Sequence, residues 1–242
     1  MKLALVTAGY HRLGAAIAAR LAADGWTLAL HSRRPDEPEP ALRAQLGEWR
    51  RFVADLSDER AVDALIPAIA SAFGEPPALL VNNASLFTDD DADSATLANL
   101  QRHAAVNAQA PAALALALGR TGVSGAVVNI VDQRVRNPVP DQLSYSLSKA
   151  ALAAATRTLA VALAPRIRVN AVAPGLTLPT PDYEPGRMER IAGMMPLRRL
   201  AAPSDIAEAV AFLAGAQAVT GQTVFVDGGA SLTGFARDFS AL

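Results

Sequence analysis

Short apolar runs alternate with Ala- and Leu-rich segments along the whole chain. Residues 3–7 (LALVT) and 125–131 (GAVVNIV) are typical of buried strands, because they are short and rich in aliphatic or β-branched side chains. Residues 149–164 (KAALAAATRTLAVALA) have the strong helix propensity of alanine and leucine. The same pattern predicts strands at 26–31, 51–57, 78–85, 166–175 and 223–229, and helices at 58–73, 95–118 and about 203–215.

The chain begins with a strand, a glycine-containing turn, a helix closed by Gly25 and a second strand. This order predicts the first βαβ unit of a doubly wound sheet. The turn, AGYHRLG (8–14), directs helix N–H groups and the positive end of the helix dipole toward an anion such as a dinucleotide pyrophosphate. Taken alone, such a turn is a weak indication.

Composition and charge narrow the possible functions. Of the 242 residues, 51% are hydrophobic and 19% are charged, which is typical of one globular α/β domain. A net charge of −1 provides no basic field for nucleic acid. The absence of cysteine, and three histidines without an H-E-x-x-H spacing, argue against a metal site. No apolar stretch approaches the ~18 residues of a membrane helix. We therefore expect a cytoplasmic protein.

The residues after the second strand indicate which cofactor is bound. An NAD-binding protein usually presents an acid there to the ribose hydroxyls. This chain has His31-Ser32-Arg33-Arg34 instead, with no acid before Asp36. Two guanidiniums and a hydroxyl suit a 2′-phosphate, which arginine binds in a bidentate way. NADP is therefore favoured over the alternative, a basic loop that faces water.

Tyr145 and Lys149 lie four residues apart, at a spacing that places both side chains on one face of a helix. Asp132 precedes the tyrosine by thirteen residues and follows the strand predicted at 125–131. A nearby ammonium lowers the pKa of a phenol, which is ordinarily near ~10, so that it can transfer a proton. The alternative is an ordinary tyrosine and a solvated lysine, but the flanking strand, the carboxylate and the nucleotide-binding signals favour catalysis.

Other polar positions have two interpretations each. Asp55 could accept a hydrogen bond from an adenine amino group or cap the next helix. Asn107 could bind a local carbonyl or hold an ordered water near Lys149. Residues 86–94 carry four aspartates, and a solvated acidic loop with Asp93 or Ser94 as a helix cap is the better interpretation. Residues 176–200 contain four prolines and no clear period, which predicts a mobile lid.

Nearly the whole chain resembles the short-chain dehydrogenase/reductase family. Any one matching motif is weak, but the ordered set is highly specific. One departure is Ala8, where the family usually has glycine; we expect it to affect pyrophosphate affinity and not the fold. The matching pieces are Thr7 to Gly14, Asp55-Leu56, Asn82-Asn83-Ala84, Asn107, Tyr145 with Lys149, Pro174-Gly175 and Asp227-Gly228-Gly229.

Within that family the chain looks most like the pteridine reductases and the bacterial dihydromonapterin and dihydrofolate reductases. Most members have glycine at the position of Arg12 and serine at the position of Asp132. Here Arg12-Leu13-Gly14, the stretch 31–34, Asn82 to Ser85 followed by Phe87, and Asp132 match the pterin-reducing members. A serine donates to a ketone oxygen, whereas a carboxylate can accept from the N–H groups of a pterin or, if protonated, donate to a ring nitrogen.

The resemblance implies a Rossmann-type domain over 1–242, with about seven mainly parallel strands, helices on both faces and the lid at 176–200. It implies NADPH-dependent reduction of a dihydropterin or dihydrofolate. Two alternatives remain open: a carbonyl reductase of the same fold, such as a 3-oxoacyl thioester reductase, and an NADPH-binding sensor without turnover. It also implies a homotetramer built partly through the helices at 95–118 and 141–164.

The same resemblance assigns roles to residues. The catalytic residues would be Asp132, Tyr145 as proton donor, Lys149 and Asn107. The substrate would contact Arg12, Ser85, Phe87, Asp132 and Tyr145. The cofactor-binding residues would be Gly9, Arg12, Leu13, Gly14, His31, Ser32, Arg33, Arg34, Asp55, Leu56, Asn83, Ala84, Tyr145, Lys149, Pro174, Gly175 and Thr177.

Overall fold

The computed structural model describes residues 2–179 and 183–239, and these form one parallel sheet of seven strands with helices on both faces. The predicted α/β fold is confirmed. The strands are β1 (Leu3–Val6), β2 (Thr27–Ser32), β3 (Trp49–Val53), β4 (Leu79–Asn82), β5 (Gly125–Ile130), β6 (Ile167–Pro174) and β7 (Thr223–Val226). Their order in the sheet is β3-β2-β1-β4-β5-β6-β7.

The helices cover the sheet because successive strand residues point to opposite faces. The helices are α1 (Arg12–Ala23), α2 (Pro40–Arg43), α3 (Glu59–Phe73), α4 (Leu97–Ala104), α5 (Ala110–Arg120), α6 (Leu143–Ala162), α7 (Arg187–Met194) and α8 (Pro203–Gly215). On one face, Ala4 and Val6 of β1 pack with α1 and α8; on the other, Leu3 and Leu5 pack with α3, α5 and α6. None of those helices is long and apolar enough to cross a membrane.

The strand order reverses between β1 and β4, which are neighbours in the sheet although they are the first and fourth strands of the chain. Helices that leave neighbouring strands at such a point turn to opposite faces, so a crevice opens beyond the carboxyl ends of the strands. Residues that follow β1, β4 and β5 are therefore brought together at one edge of the sheet.

Several elements differ from the sequence prediction; the strands predicted at 78–85 and 223–229, for example, end at Asn82 and Val226. The third strand is Trp49–Val53 and not 51–57, because the Asp55 side chain closes a turn with the Ser57 N–H at 2.9 Å. The long helix predicted at 95–118 is divided by a π-helical turn, Ala105–Gln109. Pro111 explains the division, since it has no N–H to continue the ladder. The lid segment contains α7, while its residues 180–182 lie outside the described part.

Candidate active site

Thr7 joins the ends of β1 and β4. Its hydroxyl oxygen accepts hydrogen bonds from the N–H groups of Asn83 and Ala84, both at 2.9 Å, and donates to the Val81 carbonyl at 3.3 Å. The Asn83 side-chain amide donates to the carbonyls of Thr7 and Ala8 at 3.0 and 3.1 Å. The first turn and the end of β4 are therefore fixed relative to each other.

The turn after β1 brings the backbone very close to α1. A Cβ atom on Gly14 would lie 2.0 Å from the Ala8 carbonyl oxygen and 2.8 Å from the Asn83 side-chain nitrogen, so only glycine fits there. Ala8 has φ +50°, in the left-handed region that favours glycine, which makes the departure from the family pattern a strained one. Gly9 is tight as well, because a Cβ there would lie 3.0 Å from Leu30.

A cavity of about 580 Å³ opens beside this turn and extends to the ends of β5 and β6. Arg12 stands at its edge, where its backbone N–H donates to the Glu39 carboxylate at 3.3 Å and its guanidinium donates to the Pro179 carbonyl at 3.3 Å. An anionic oxygen thus already lies at the amino end of α1, as expected for a helix end that attracts phosphates. The lining includes Arg12, Leu13, Gly14, Ser32, Arg33, Arg34, Asn83, Ser85, Asp132, Tyr145, Lys149, Pro174, Gly175 and Thr177.

The stretch 31–34 divides into a structural and an exposed part. His31 is buried, and its Nδ1 accepts from the Ala8 N–H at 3.2 Å while its Nε2 faces the Ala54 carbonyl at 2.9 Å. Burial lowers the pKa of His31, which favours the neutral ring that this pair of contacts requires. His31 therefore supports the turn and has no free nitrogen for a phosphate. Arg33 and Arg34 are exposed at the cavity.

A second cavity of about 280 Å³ adjoins the first, and Ala8, Arg33 and Ser85 line both. Asp55, Leu56 and Ala84 line the second cavity. Hydrogen bonds from Ser57 lower the pKa of Asp55, which keeps its carboxylate available as an acceptor. The alternative role of Asp55 as a helix cap falls to Asp58, whose side chain accepts from the Arg60 N–H.

Tyr145 and Asp132 form a direct pair. The Tyr145 hydroxyl donates to Oδ2 of Asp132 at 2.9 Å, and Oδ1 accepts from the Arg134 N–H at 2.8 Å. Burial and then the Asp132 charge raise the pKa of Tyr145 well above its ordinary value. From the sequence we expected Lys149 to lower the pKa of Tyr145. The direction is opposite because burial, and after it the charge of Asp132, disfavours the phenolate.

Lys149 lies one helical turn beyond Tyr145, with its Nζ 5.6 Å from the centre of the tyrosine ring. The ammonium is buried and donates to the Ile130 carbonyl at 2.8 Å, at the end of β5. Burial lowers the pKa of Lys149 to about 8, although the Asp132 charge opposes the change. Lys149 is thus poised to gain or lose a proton near neutral pH.

Arg134 is a buried member of the site that the sequence analysis missed. Its guanidinium carbon lies 5.4 Å from the Tyr145 ring centre and 5.8 Å from that of Phe87. It donates to Gln142 at 3.1 Å and forms an ion pair with Asp238 near the carboxyl end of the chain. The sequence signal was faint, because Arg134 follows Asp132 in a loop and Asp238 is 104 residues away.

Asn107 connects the segment after β4, which includes Ser85, to the helix that carries Tyr145. The Asn107 side chain is fully buried and bonds both the N–H and the carbonyl of Leu86, at 2.7 and 2.8 Å. It also donates to Ser148, whose hydroxyl donates to the Tyr145 carbonyl. The carbonyl that Asn107 binds, that of Leu86, is therefore distant in the sequence and not local. Asn107 is linked to Tyr145 through the Ser148 hydroxyl. Phe87 packs edge-on against the Tyr145 ring, with centroids 4.8 Å apart.

The acidic segment 86–94 is more than a solvated loop, which corrects that interpretation. Asp90 is buried and accepts from the Ser144 N–H at 3.0 Å, so it caps the helix that carries Tyr145 and Lys149. Asp89 accepts from Gln142, which begins that helix. The cap of α4 is Thr96 rather than Asp93 or Ser94.

The end of β6 closes the cavity. Gly175 approaches the backbone closely, since a Cβ there would lie 2.8 Å from Cα of Asp227. Thr177 donates to the Gly175 carbonyl at 2.9 Å and lines the cavity with Pro174. Among the described residues there is no group of side chains that could hold a metal ion.

The comparisons with known proteins agree with this geometry. A family model described as enoyl-(acyl carrier protein) reductase matches residues 8–231, which is most of the chain. The chain belongs to the short-chain dehydrogenase/reductase family. Membership makes it an oxidoreductase.

Relatives within the short-chain dehydrogenase/reductase family differ in substrate. FolM alternative dihydrofolate reductase 1 from Brucella canis, solved in complex with NADP, is 40% identical, with a TM-score of 0.87 over 96% of this chain and 94% of that one. The 3beta-hydroxysteroid dehydrogenase 1 of Eggerthella lenta is 34% identical over 96% of this chain and 94% of that protein. The (3R)-3-hydroxyacyl-CoA dehydrogenase of Canis lupus familiaris is 33% identical, with shares of 94% and 95%.

Proposed function

We propose that this protein reduces a dihydropterin or dihydrofolate to its tetrahydro form with NADPH. The observation that carries the proposal is the hydrogen bond from Tyr145 to Asp132, beside a cavity shaped for a dinucleotide. A carboxylate at this point suits a substrate with N–H groups better than one with a ketone. The similarity to an NADP-bound dihydrofolate reductase supports the same substrate class.

The chain fits NADPH at several points. The close approach at Gly14 leaves no room for a side chain where the pyrophosphate would meet α1. Arg33 and Arg34, with the Ser32 hydroxyl nearby, would hold the 2′-phosphate. Asp55 and Leu56 would contact the adenine from the second cavity, Asn83 and Ala84 the ribose region, and Thr177 the carboxamide side. NADPH supplies the hydride.

Tyr145 would donate the proton. Its raised pKa keeps the phenol protonated at neutral pH, which is the form that a reduction consumes. Lys149, whose ammonium lies near the ring, would stabilise the phenolate left behind and contact the nicotinamide ribose. Asp132 accepts the hydrogen bond of the Tyr145 hydroxyl, so it could relay a replacement proton from water to the phenolate oxygen.

The pterin would be held at its polar edge and on its ring face. Asp132 would accept from ring or amino N–H groups, and Ser85 and Arg12 would bind other polar atoms of the same edge. Phe87, 45% exposed beside Tyr145, offers an aromatic face for stacking. These contacts orient the substrate toward the nicotinamide and contribute proximity more than chemistry.

A second candidate is reduction of a 3-oxoacyl thioester, which the similarity to a hydroxyacyl-CoA dehydrogenase favours. The carboxylate of Asp132 argues against it, because an oxyanion developing next to Tyr145 would be repelled. A sensor without turnover is the third candidate, and the intact Tyr145 and Lys149 pair argues against that function.

Association into a homotetramer is part of the proposal, together with a cytoplasmic location. Apolar side chains remain exposed on α5 and α6, which supports contact between copies: Leu116 is 38% exposed, Leu147 52% and Val161 81%. Light scattering after size-exclusion chromatography should give a mass four times that of one chain. A monomer mass would remove this part of the proposal.

The direct test follows NADPH oxidation by the purified protein with dihydrobiopterin, dihydrofolate and an acetoacetyl thioester side by side. Turnover of a pterin or folate with none of the thioester is the expected result. Turnover of the thioester alone would leave the family chemistry intact and overturn the substrate class. NADPH binding without turnover of any of the three would favour the sensor.

A further inference from the structure

The carboxyl-terminal segment Arg237–Phe239 lies against the catalytic loop. Arg237 forms an ion pair with Asp141 at 2.6 Å, and the Asp238 N–H donates to the same carboxylate at 2.7 Å. The Phe239 carbonyl accepts from Arg187 of α7 at 3.0 Å, and its ring is buried with Ile191. This segment therefore contacts both the loop before α6 and the helix of the lid.

Asp238 points from that segment into the site, where it meets Arg134. Both side chains are at least nine-tenths buried. The Arg134 guanidinium faces Asp238 on one side and Oδ1 of Asp132, 3.7 Å from its Nε, on the other. One buried cation thus lies between two carboxylates, within 6 Å of the proton-donor ring.

We propose that Arg134, held by Asp238, is a positioning residue that fixes Asp132 and sets the charge balance around Tyr145 and Lys149. The backbone and side chain of Arg134 both address the same oxygen of Asp132, which leaves the other oxygen for Tyr145. Within this set of four side chains, the positive charges of Arg134 and Lys149 offset the negative charges of Asp132 and Asp238. Loss of either Arg134 or Asp238 leaves an unbalanced buried charge.

The Coulomb effects of the two residues have opposite signs. The charge of Arg134 opposes the rise in the pKa of Tyr145 that burial and Asp132 cause, whereas Asp238 adds to that rise. If the two residues had a purely structural role, loss of either one would disorder the site and would change the pKa values in the same direction. The charged and titratable groups that interact with Arg134 from the surrounding elements are Asp132, Asp141, Tyr145, Tyr183 and Asp238. Lys149 lies against Tyr145, Arg187 against Tyr183 and Arg237 against Asp141.

Lys149 provides a readout that needs no substrate. The chain has two lysines, Lys2 and Lys149, so selective ¹³C labelling gives two NMR signals, and Lys149→Arg assigns them. The pKa of Lys149 is about 8, within a convenient range. Titration of the full chain, with and without NADP⁺, then reports the charge balance directly.

The test compares Arg134→Gln, Arg134→Lys and Asp238→Asn with Arg166→Gln, a matched loss of charge at an exposed arginine that precedes β6, at the other end of the strand from the site. Removal of the buried cation should raise the pKa of Lys149, and removal of the carboxylate should lower it, each by roughly 0.3 unit or more. Arg134→Lys and Arg166→Gln should keep the wild-type value within that margin.

Shifts of the same sign in Arg134→Gln and Asp238→Asn, or no shift in either, would overturn the proposal. Asp238→Asn conserves shape, so it keeps the test decisive if Arg134→Gln does not fold.

The activity prediction rests on the proposed function: kcat for the dihydropterin should fall about tenfold in Arg134→Gln and recover in Arg134→Lys. Failure of the wild type to reduce a pterin would refute that function, while the titration would still decide the role of Arg134.

Discussion

The Tyr145 hydroxyl donates its hydrogen bond to Asp132 at 2.9 Å, while Lys149 lies 5.6 Å from the centre of the same ring. The proton donor is therefore held by an acceptor that can return a proton after each turnover. Burial and the Asp132 charge keep the phenol in its protonated form. Lys149 acts on the phenolate that forms after transfer, not on the resting phenol.

Replacing Tyr145 with phenylalanine should reduce kcat at least about a hundredfold, because the hydroxyl that donates the proton is removed. NADPH affinity should change by less than about threefold, since the ring and its packing against Phe87 remain. Steady-state kinetics and fluorescence titration with NADPH measure the two quantities. Unchanged turnover would refute the role of Tyr145.

Burial of Lys149 makes stability depend on pH. Its folded pKa, about 8, lies below the ordinary value of 10.5, so the unfolded chain binds more protons between these values. Stability therefore rises with pH through this window and falls as pH drops toward 8. Relative to Lys149→Met, the wild-type free energy of unfolding should gain up to about 3 kcal/mol between pH 8 and 10.5.

Urea unfolding of both proteins at several pH values measures that difference, and comparison with the variant cancels the titration of other groups. A parallel pH dependence in the two proteins would show that Lys149 is not perturbed by burial.

Arg33 and Arg34 should decide the cofactor preference. Changing both to glutamine removes two cations from the place where a 2′-phosphate would lie, so KM for NADPH should rise about tenfold or more. KM for NADH, which lacks that phosphate, should stay within about twofold. Arg136→Gln is a control of the same chemistry, because Arg136 packs against Phe225. An equal rise for both cofactors would contradict the assignment.

Ala8 and Gly14 form a matched pair of backbone positions. Ala8→Gly should stabilise the protein by about 0.5–1 kcal/mol and improve NADPH binding, because φ +50° costs glycine little. Gly14→Ala should weaken NADPH binding strongly, since its Cβ would lie 2.0 Å from the Ala8 carbonyl. Thermal unfolding and NADPH titration of the two variants check both effects. A destabilised Ala8→Gly would refute the strain.

The sequence was sufficient to predict the parts of the fold that depend on local pattern. The apolar runs located the parallel strands, and the motif order placed Asp132, Tyr145 and Lys149 at one edge of the sheet. The π-helical turn before Pro111 was missed, because alanine-rich flanks on both sides have an uninterrupted helical pattern. The buried position of His31 between two backbone groups was also missed, because such burial is a tertiary effect.

Contacts between distant segments were also beyond the sequence. Nothing local indicates that Asp90 caps α6 or that Asp238 pairs with Arg134, since each contact depends on how loops cross the finished sheet. The direction of the Tyr145 pKa shift depends on such three-dimensional placement as well. Residue types and spacing identify the reacting groups, whereas their charge balance follows from the folded arrangement.

The most direct test of the pterin assignment is the ratio of kcat/KM for dihydropterin to kcat/KM for an acetoacetyl thioester, in the wild type and in Asp132→Ser. Serine removes the acceptor that Tyr145 contacts and provides a donor for a ketone oxygen. The ratio should favour the pterin in the wild type and fall at least about tenfold in the variant. A ratio that does not change, or a wild type that prefers the thioester, would contradict the role given to Asp132.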